Sequence, residues 1–203
     1  MALSLVNVVV SKPLQQNLKQ RIIMKILAFA ASNSRSSINK SLVTYASSLV
    51  SGLDENAQID LIDLNDYEMP IYSSDRENES GIPQLAHDFY NKISAADAVM
   101  ISFAEHNGSY TVAYKNLFDW TSRIDAKVYQ GKPAVLLATS PGPGGASNVL
   151  AAAKGSAPYF GLEVKADLSV GKFYDEFDME KGELKSSAIN DKLMTAVALL
   201  ISA

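Results

Sequence analysis

The chain has 203 residues, a formal net charge of −4 and 47% hydrophobic residues, which fits one globular domain with a full-sized core. The mild charge, without a basic stripe, argues against nucleic acid as a partner. The chain has no cysteine, which excludes disulfides, thiol catalysis and iron–sulfur ligation. The two histidines, His87 and His106, are far apart in sequence, so no metal site is expected.

Residues 1–23 contain no acidic residue and carry three basic ones after a short apolar stretch. A signal peptide has the opposite order, and no apolar run approaches the roughly 20 residues that span a bilayer. We therefore expect a disordered extension or an upstream start over residues 1–23, and one domain over residues 24–203. We also expect no membrane association and a cytoplasmic location, since the lack of cysteine fits a reducing compartment.

Apolar strand-like runs alternate with amphipathic helices along this domain. In chain order the pattern predicts strand Lys25–Ala31, helix Ile38–Ser51, strand Gln58–Asp63, a long polar connection Asn65–Gly81, helix Pro83–Ala95, strand Ala98–Phe103, helix Val112–Arg123, strand Pro133–Thr139, helix Ser147–Phe160, strand Glu163–Val170 and helix Ser187–Ile201. Near-continuous apolar strands are typical of a parallel sheet with both faces covered by helices. The predicted fold class is α/β: a flavodoxin-like, doubly wound parallel sheet of five strands in the order 2-1-3-4-5.

Three polar segments rich in serine or glycine directly follow predicted strands: Ser32–Asn39, Glu105–Thr111 and Ser140–Ser147. We call them the first, second and third loops. In an open parallel sheet, the loops at the carboxyl ends of neighbouring strands converge on one crevice, where ligands bind. The sequence therefore predicts one shared site, suited to a flat cofactor that carries a phosphate.

The first loop precedes a helix, and a helix N-terminus offers unpaired amides and partial positive charge to a phosphate. Its candidate contacts are Ser32, Ser34, Arg35, Ser37 and Asn39. The alternative is ordinary helix capping by Ser36, Ser37 or Asn39 without any ligand. Neither the glycine-rich dinucleotide fingerprint nor a P-loop is present, so a monophosphate held by hydroxyl groups points to FMN.

The second loop contains Asn107-Gly108, a strong turn signal whose exposed amides could bind the polar edge of an isoalloxazine ring. Its candidate contacts are Glu105, His106, Asn107 and Gly108. In the helix that follows, Leu117 is expected to pack in the core. Trp120 is either a core residue or a residue of a subunit interface.

The third loop combines glycines, which let the backbone approach a ligand closely, with prolines, which make the turn rigid. Its candidate contacts are Ser140, Gly142, Gly144 and Gly145. The alternative is a tight connection between strand and helix with no ligand.

At these residues the chain resembles the NADPH-dependent FMN reductase family, which includes quinone, azo-dye and chromate reductases. The family's second loop reads P-E-Y-N-x-S, followed by L-K-N-A-x-D-W, and this chain matches it at Glu105, Asn107, Ser109, Lys115, Asn116, Asp119 and Trp120. The family's first loop, G-S-x-R-x-x-S-x-N, is matched at Ser32, Ser37 and Asn39, with Arg35 displaced by one position. The third loop resembles the family's S-x-G-x-x-G-G turn. His106 replaces a tyrosine at a position that the resemblance places beside the flavin.

The resemblance implies an FMN-dependent NAD(P)H oxidoreductase that passes electrons from NADPH or NADH to a small acceptor such as a quinone, an azo compound or free flavin. No catalytic side chain is assigned, because hydride transfer belongs to the flavin. The resemblance also implies a homodimer or homotetramer in which the helix bearing Lys115–Arg123 packs between subunits. A flavodoxin-type electron carrier and a non-catalytic flavin-binding regulator remain alternatives. The connection over residues 65–81 either shapes the acceptor pocket or is a surface excursion.

Overall fold

A central parallel sheet organises the computed structural model, which describes residues 23–203. The strands of this sheet are β1 (Lys25–Ala31), β2 (Gln58–Ile62), β3 (Ala98–Phe103), β6 (Lys132–Thr139) and β7 (Leu162–Val170). Two short hairpins lie outside it: β4 (Glu105–His106) pairs with β5 (Ser109–Tyr110), and β8 (Phe177–Asp178) pairs with β9 (Glu183–Leu184). The sheet order is β2-β1-β3-β6-β7. This confirms the predicted order, because the five sheet strands follow one another in the chain as expected.

Seven α-helices surround the sheet in the described part of the chain. They are α1 (Ile38–Leu53), α2 (Ser74–Ser80), α3 (Gln84–Ala95), α4 (Val112–Thr121), α5 (Ser147–Ser156), α6 (Phe173–Glu176) and α7 (Ser187–Ile201), with 3-10 helices at Leu64–Tyr67 and Ala157–Phe160. No helix of residues 23–203 is long and apolar enough to cross a membrane.

The core lies on both faces of the sheet, because neighbouring residues of a strand point to opposite sides. From β1, Leu27 and Phe29 pack with α3, α4 and α5 on one face. Ile26 and Ala28 pack with α1 and α7 on the other. The inner strands are buried along nearly their whole length, which explains why their sequences are apolar throughout.

The structure differs from the prediction mainly between β2 and α3. The polar connection contains a 3-10 helix and α2. Helix α2 has no buried residue, so no apolar periodicity marks it, and the Ser73 hydroxyl caps it by accepting from the Arg76 amide at 3.2 Å. The extension predicted over residues 1–23 falls almost wholly outside the described residues.

Candidate active site

A buried polar side chain joins the first loop to the carboxyl ends of β3 and β6. The Asn39 Nδ2 donates to the Thr139 carbonyl at 3.1 Å, and its Oδ1 accepts from the Thr139 amide at 3.0 Å and the Ser102 hydroxyl at 2.8 Å. Asn39 is only 2% exposed. Its amide group therefore holds the start of α1 against the ends of β3 and β6, and its contact with a cofactor stays a prediction.

Thr111 makes a similar connection for the second loop. It caps α4, where its hydroxyl accepts from the Tyr114 amide at 3.3 Å and donates to the Ala31 carbonyl at the end of β1 at 3.0 Å. Sequence reasoning missed Ser102, Thr111 and Thr139 as supports. Their only signal is a buried hydroxyl residue at or just beyond the end of an apolar strand.

Glu105 joins the second loop to the third. Its carboxylate accepts from the Val149 amide at 2.9 Å and from Asn148 Nδ2 at 3.4 Å. Because Ala146, the N-cap residue of α5, provides no side-chain acceptor, Glu105 satisfies the start of that helix from a distant part of the chain. Its carboxylate thus positions the second loop against the start of α5, and its contact with a cofactor stays a prediction.

The glycines of the third loop have two different surroundings. A Cβ on Gly145, at φ +59°, would collide with the Ser169 Oγ and lie 2.9 Å from the Gly171 amide nitrogen, so packing against the end of β7 requires this glycine. Its contact with a ligand stays a prediction. A Cβ on Gly142 or Gly144 would meet no heavy atom within 4 Å. The backbone at these two positions is open to an approaching ligand, and half-buried Ser140 lies at the same open side.

Only the middle of the first loop, residues 33–36, presents its side chains outward. Ser34 and Arg35 are exposed, and Arg35 forms no ion pair with residues 23–203. Ser37 caps α1 by accepting from the Lys40 amide at 3.3 Å, as the capping alternative predicted, while Ser32 is buried and accepts from the Ser34 amide at 3.2 Å. In the first turn of α1 the Lys40 amide also donates to the Ser37 carbonyl at 3.0 Å, whereas the Ile38 and Asn39 amides precede the first carbonyl acceptors of the helix.

A cavity of about 230 Å³, which we call the active-site cavity, lies between the first loop, the second loop and the segment Leu64–Ile71. Its lining residues are Asn33, Leu64, Asn65, Tyr67, Glu68, Met69, Ile71, His106, Thr111, Val112, Ala113 and Asn116. Asn107 and Gly108, at φ 52° and 75°, form the predicted tight turn between β4 and β5, beside His106. The third loop does not border this cavity. Its connection to the second loop, which does border the cavity, is the pair of hydrogen bonds that Glu105 accepts at the start of α5.

Helix α4 holds the segment Leu64–Ile71, which forms one wall of the active-site cavity. Asn116 Nδ2 donates to the carbonyls of Met69 and Pro70 at 3.0 and 3.2 Å, and its Oδ1 accepts from the Tyr72 amide at 2.9 Å. Trp120 Nε1 donates to the Pro70 carbonyl at 2.8 Å, and the Trp120 and Tyr72 rings meet edge to face at 5.0 Å. Trp120 is 1% exposed within one chain. This confirms the prediction that it is a core residue, and leaves its side chain no surface to offer to a second subunit.

Ion pairs fix both ends of this wall. Lys40 binds Asp63 at 2.5 Å, and this hydrogen bond, followed by one from the Asn65 amide, lowers the pKa of Asp63 from 3.8 to about 2. At the other end, Arg123 donates to both carboxylate oxygens of Glu77, at 3.1 and 2.9 Å. The first part of the long polar connection therefore shapes a cavity. Residues 23–203 contain no cluster of three or more histidine, cysteine or acidic side chains placed to hold a metal.

Residues 24–175 match the model of the NADPH-dependent FMN reductase family. The chain belongs to this family. It is 33% identical over 120 residues to a 2-hydroxy-1,4-benzoquinone reductase from a Burkholderia species, covering 59% of this chain and 62% of that protein. It is 29% identical over 123 residues to an NADPH:quinone oxidoreductase of Arabidopsis thaliana, covering 61% of each. The chain thus spans under two thirds of the length of these relatives.

Solved structures agree on the fold. A flavoenzyme NAD(P)H:acceptor oxidoreductase from Paracoccus denitrificans superposes with a TM-score of 0.69 at 22% identity, covering 89% of this chain and 96% of that one. The apo form of an NADH:FMN oxidoreductase gives a TM-score of 0.61 at 19% identity, covering 88% and 89%. At such identities the likeness establishes the flavodoxin-like fold alone.

Proposed function

We propose that this protein is a cytoplasmic, FMN-dependent NAD(P)H oxidoreductase that reduces small quinone-class acceptors. The observation that carries the proposal is a cavity between the first and second loops, bordered by Asn33 and His106 at the carboxyl edge of the sheet, in a member of the FMN reductase family. The names of the similar benzoquinone and quinone reductases support the acceptor class. FMN, when bound, supplies the hydride chemistry, and the protein supplies binding, orientation and exclusion of water.

The first loop fits a phosphate by the chemistry of its donors. The Ile38 and Asn39 amides at the start of α1 follow directly on the exposed Ser34 and the Ser37 cap. Arg35 brings a positive charge that no described acidic side chain neutralises. A dianionic phosphate is the ligand that such a set of donors favours. We assign Ser32, Ser34, Arg35 and Ser37 to this group, with Asn39 as a positioning residue.

The second and third loops fit a flat ring by their exposed backbone. We assign His106, Asn107 and Gly108 to one edge of the isoalloxazine ring. We assign Ser140, Gly142 and Gly144 either to the chain of FMN that carries the phosphate or to the face of the ring. Glu105 and Gly145 are positioning residues, since both are engaged within the protein.

The active-site cavity fits a small, flat acceptor. Its volume exceeds the roughly 150 Å³ that holds a benzene molecule in an apolar protein cavity. Two of its lining residues, Ile71 and Val112, expose 57% and 68% of their surface, and they give the cavity apolar edges. The His106 imidazole, also exposed, can donate a hydrogen bond to a carbonyl oxygen of the acceptor.

The flavin part of the proposal is tested by binding of FMN and riboflavin to the purified full chain. We expect Arg35→Gln to weaken FMN binding about tenfold and to leave riboflavin, which lacks the phosphate, unchanged. Lys192→Gln, an exposed lysine of α7, is the matched control and should alter neither. Wild-type protein without saturable FMN binding would end the flavin assignment.

The reductase part is tested by an absorption spectrum of the FMN-loaded, desalted protein under anaerobic conditions. Flavin bands that bleach on addition of NADPH, and return on addition of a benzoquinone, support the proposal. Bands that are retained but do not bleach favour an electron carrier or a regulator instead.

We further propose a homodimer or homotetramer, following the family resemblance. Sedimentation velocity at micromolar concentration tests it, and a monomer across that range would contradict it.

A further inference from the structure

The charge of the active-site cavity comes from one carboxylate. Among the lining residues, Glu68 is the only acidic one, and none is a lysine or an arginine. Two other lining side chains can titrate, His106 and Tyr67, and burial raises the pKa of Tyr67, so its hydroxyl is neutral at physiological pH. The exposed cation of the first loop, Arg35, lines a groove along α1 and not this cavity. The lining is therefore negative whenever His106 is neutral.

The Glu68 carboxylate is available to a ligand. Glu68 is exposed and directly follows the 3-10 helix Leu64–Tyr67, in an extended conformation. Within residues 23–203 its side chain forms no ion pair and no hydrogen bond. This distinguishes it from Asp63, five residues earlier, whose charge Lys40 neutralises. A charged group that enters the cavity thus meets the Glu68 carboxylate without a competing cation attached to it.

Two further charges stand beside the same wall but outside the lining. Asp66 is exposed two residues before Glu68, and the exposed Arg76 of α2 donates to the Ile71 carbonyl. These two charges have opposite signs, so their fields offset each other in large part. The sign of the potential inside the cavity then follows from Glu68.

The rest of the lining does not select by charge. The first and second loops contribute Asn33 and His106, whose side chains offer hydrogen bonds, and Ile71 and Val112 give apolar edges. A space of about 230 Å³ is only roughly 8 Å across, which is within the Debye length of about 10 Å at 0.1 M salt. Any charged substituent on a bound ring therefore lies close enough to Glu68 to be attracted or repelled.

We propose that Glu68 is a specificity-determining residue, through which the active-site cavity admits cationic and neutral acceptors in preference to anionic ones. The inference rests on the proposed reductase function and names the charge class of its acceptor. For unit charges roughly 8 Å apart at a partly hydrated site, Coulomb attraction or repulsion changes an affinity about three- to tenfold. The effect acts in opposite directions on a cation and an anion, so their ratio of affinities magnifies it.

Binding to the FMN-supplemented, oxidised full chain tests the proposal without turnover. The probes are N,N,N-trimethyl-2-naphthylammonium, a cation, and naphthalene-2-sulfonate, an anion, titrated by ligand-observed NMR at low salt and about pH 8, where an imidazole is ordinarily neutral. We expect wild-type protein to bind the cation more tightly. Glu68→Gln should lower the ratio of the two affinities about tenfold, and Glu68→Lys should reverse the preference.

Glu180→Gln is the matched control. Glu180 is an exposed glutamate between β8 and β9, a hairpin that packs on the opposite face of the sheet from the cavity wall, so the variant removes the same charge at a distant place. It should leave the ratio unchanged, and Asp66→Asn should lower the ratio less than Glu68→Gln does. About 1 M NaCl should bring the wild-type ratio close to that of Glu68→Gln, because salt screens the charge.

The same preference should appear in turnover, in which NADPH, a proton and a quinone give NADP⁺ and the hydroquinone. The acceptors are 1,4-naphthoquinone and its anionic 2-sulfonate, and the chain has no cysteine to which these electrophiles could add. Glu68→Gln should raise the ratio of kcat/KM for the sulfonate to that for the neutral quinone about three- to tenfold. Glu180→Gln should alter neither constant.

Three outcomes would contradict the proposal, each at a different point. Equal changes of the binding ratio in Glu68→Gln and Glu180→Gln would overturn the role of Glu68. Absence of saturable binding of both probes to wild-type protein would overturn the cavity as a binding site. A bound flavin that NADPH does not bleach, with a binding ratio that still responds to Glu68→Gln, would keep the charge-selective cavity but end its assignment to an electron acceptor.

Discussion

Two cavities flank α4, and they are built by different kinds of contact. One is the active-site cavity, and the other, which we call the aromatic cavity, measures about 270 Å³ and lies between α4, α5 and the 3-10 helix Ala157–Phe160, among the rings of Phe103, Tyr110, Tyr114, Phe118, Tyr129 and Phe160. On the active-site side, α4 uses Asn116 and Trp120 to bind backbone atoms of Met69, Pro70 and Tyr72 through directional hydrogen bonds. On the aromatic side, rings pack against rings, and the buried hydroxyls pair with one another. The wall of the active-site cavity should therefore depend on single polar atoms. The aromatic cavity should depend on volume, and should tolerate exchanges that preserve it.

Removing the Trp120 side chain should have the largest effect. Trp120→Ala deletes a fully buried indole and leaves the Pro70 carbonyl without its donor, so we expect a loss of about 3–5 kcal/mol in the free energy of unfolding. Urea denaturation followed by circular dichroism measures it. Trp120→Phe keeps most of the volume and should lose clearly less. Equal losses in the two variants would show that the hydrogen bond outweighs packing.

Asn116→Ala should have the next largest effect and should act locally. It removes both donors and the acceptor that hold residues 69–72, and we expect a loss of about 1–3 kcal/mol. Hydrogen exchange should accelerate at the Tyr72 amide more than in β1. Lys115→Ala, the exposed neighbour, is the control and should change stability by about 0.5 kcal/mol or less. Unchanged exchange at Tyr72 would contradict the role given to Asn116.

On the aromatic side, Tyr114→Phe should have a smaller effect. The ring stays, so packing is kept, while the Tyr129 hydroxyl loses its buried partner. We expect a loss of about 1 kcal/mol, measured by urea denaturation, with Tyr159→Phe at a ring 75% exposed as the neutral control. A loss as large as that of Asn116→Ala would remove the contrast between the two faces of α4.

The parts of the fold that sequence predicts are those with a local pattern. The buried strands read as apolar runs, and α7 was predicted with the bounds that the structure has, Ser187–Ile201. Asn107-Gly108 carries its own turn signal, because both residues tolerate positive φ. Helix α2 lacks such a pattern: it buries no residue, and a single serine cap is too common a feature to identify it.

The site roles that sequence missed depend on contacts between distant residues. Asn39 binds Thr139, 100 residues later, and Glu105 binds the start of α5, 44 residues later. Both fit a ligand-contact pattern equally well until the fold occupies their polar atoms. The aromatic cavity gives no sequence signal either, because its rings are spread from Phe103 to Phe160 and each alone reads as core packing.

An effect of the same size at neutral pH, which vanishes in acid, is expected at the Lys40–Asp63 ion pair, beside the start of the segment Leu64–Ile71. The pKa of Asp63 is about 2 in the folded protein and 3.8 ordinarily, so folding favours the ionised form. The pair therefore stabilises the protein fully above about pH 5, and this contribution is lost as the pH falls towards 2. The shift alone would correspond to about 2.5 kcal/mol, but the Lys40 side chain is 42% exposed, and screening by water reduces the expected value to about 1 kcal/mol.

Asp63→Asn tests this value, because asparagine can still accept from the Asn65 amide but cannot pair with Lys40 as a charge. Unfolding by urea at several pH values should show the variant about 1 kcal/mol less stable at pH 7 and equal to wild type near pH 2. Asp60→Asn breaks the exposed pair with Lys92 and should change stability by about 0.5 kcal/mol or less at either pH. If the deficit of Asp63→Asn were the same at pH 2 as at pH 7, the charge of Asp63 would not be its cause. Asp63 would then support the wall through its hydrogen bonds, as Asn116 and Trp120 do from α4, and the active-site side of α4 would depend on directional hydrogen bonds throughout.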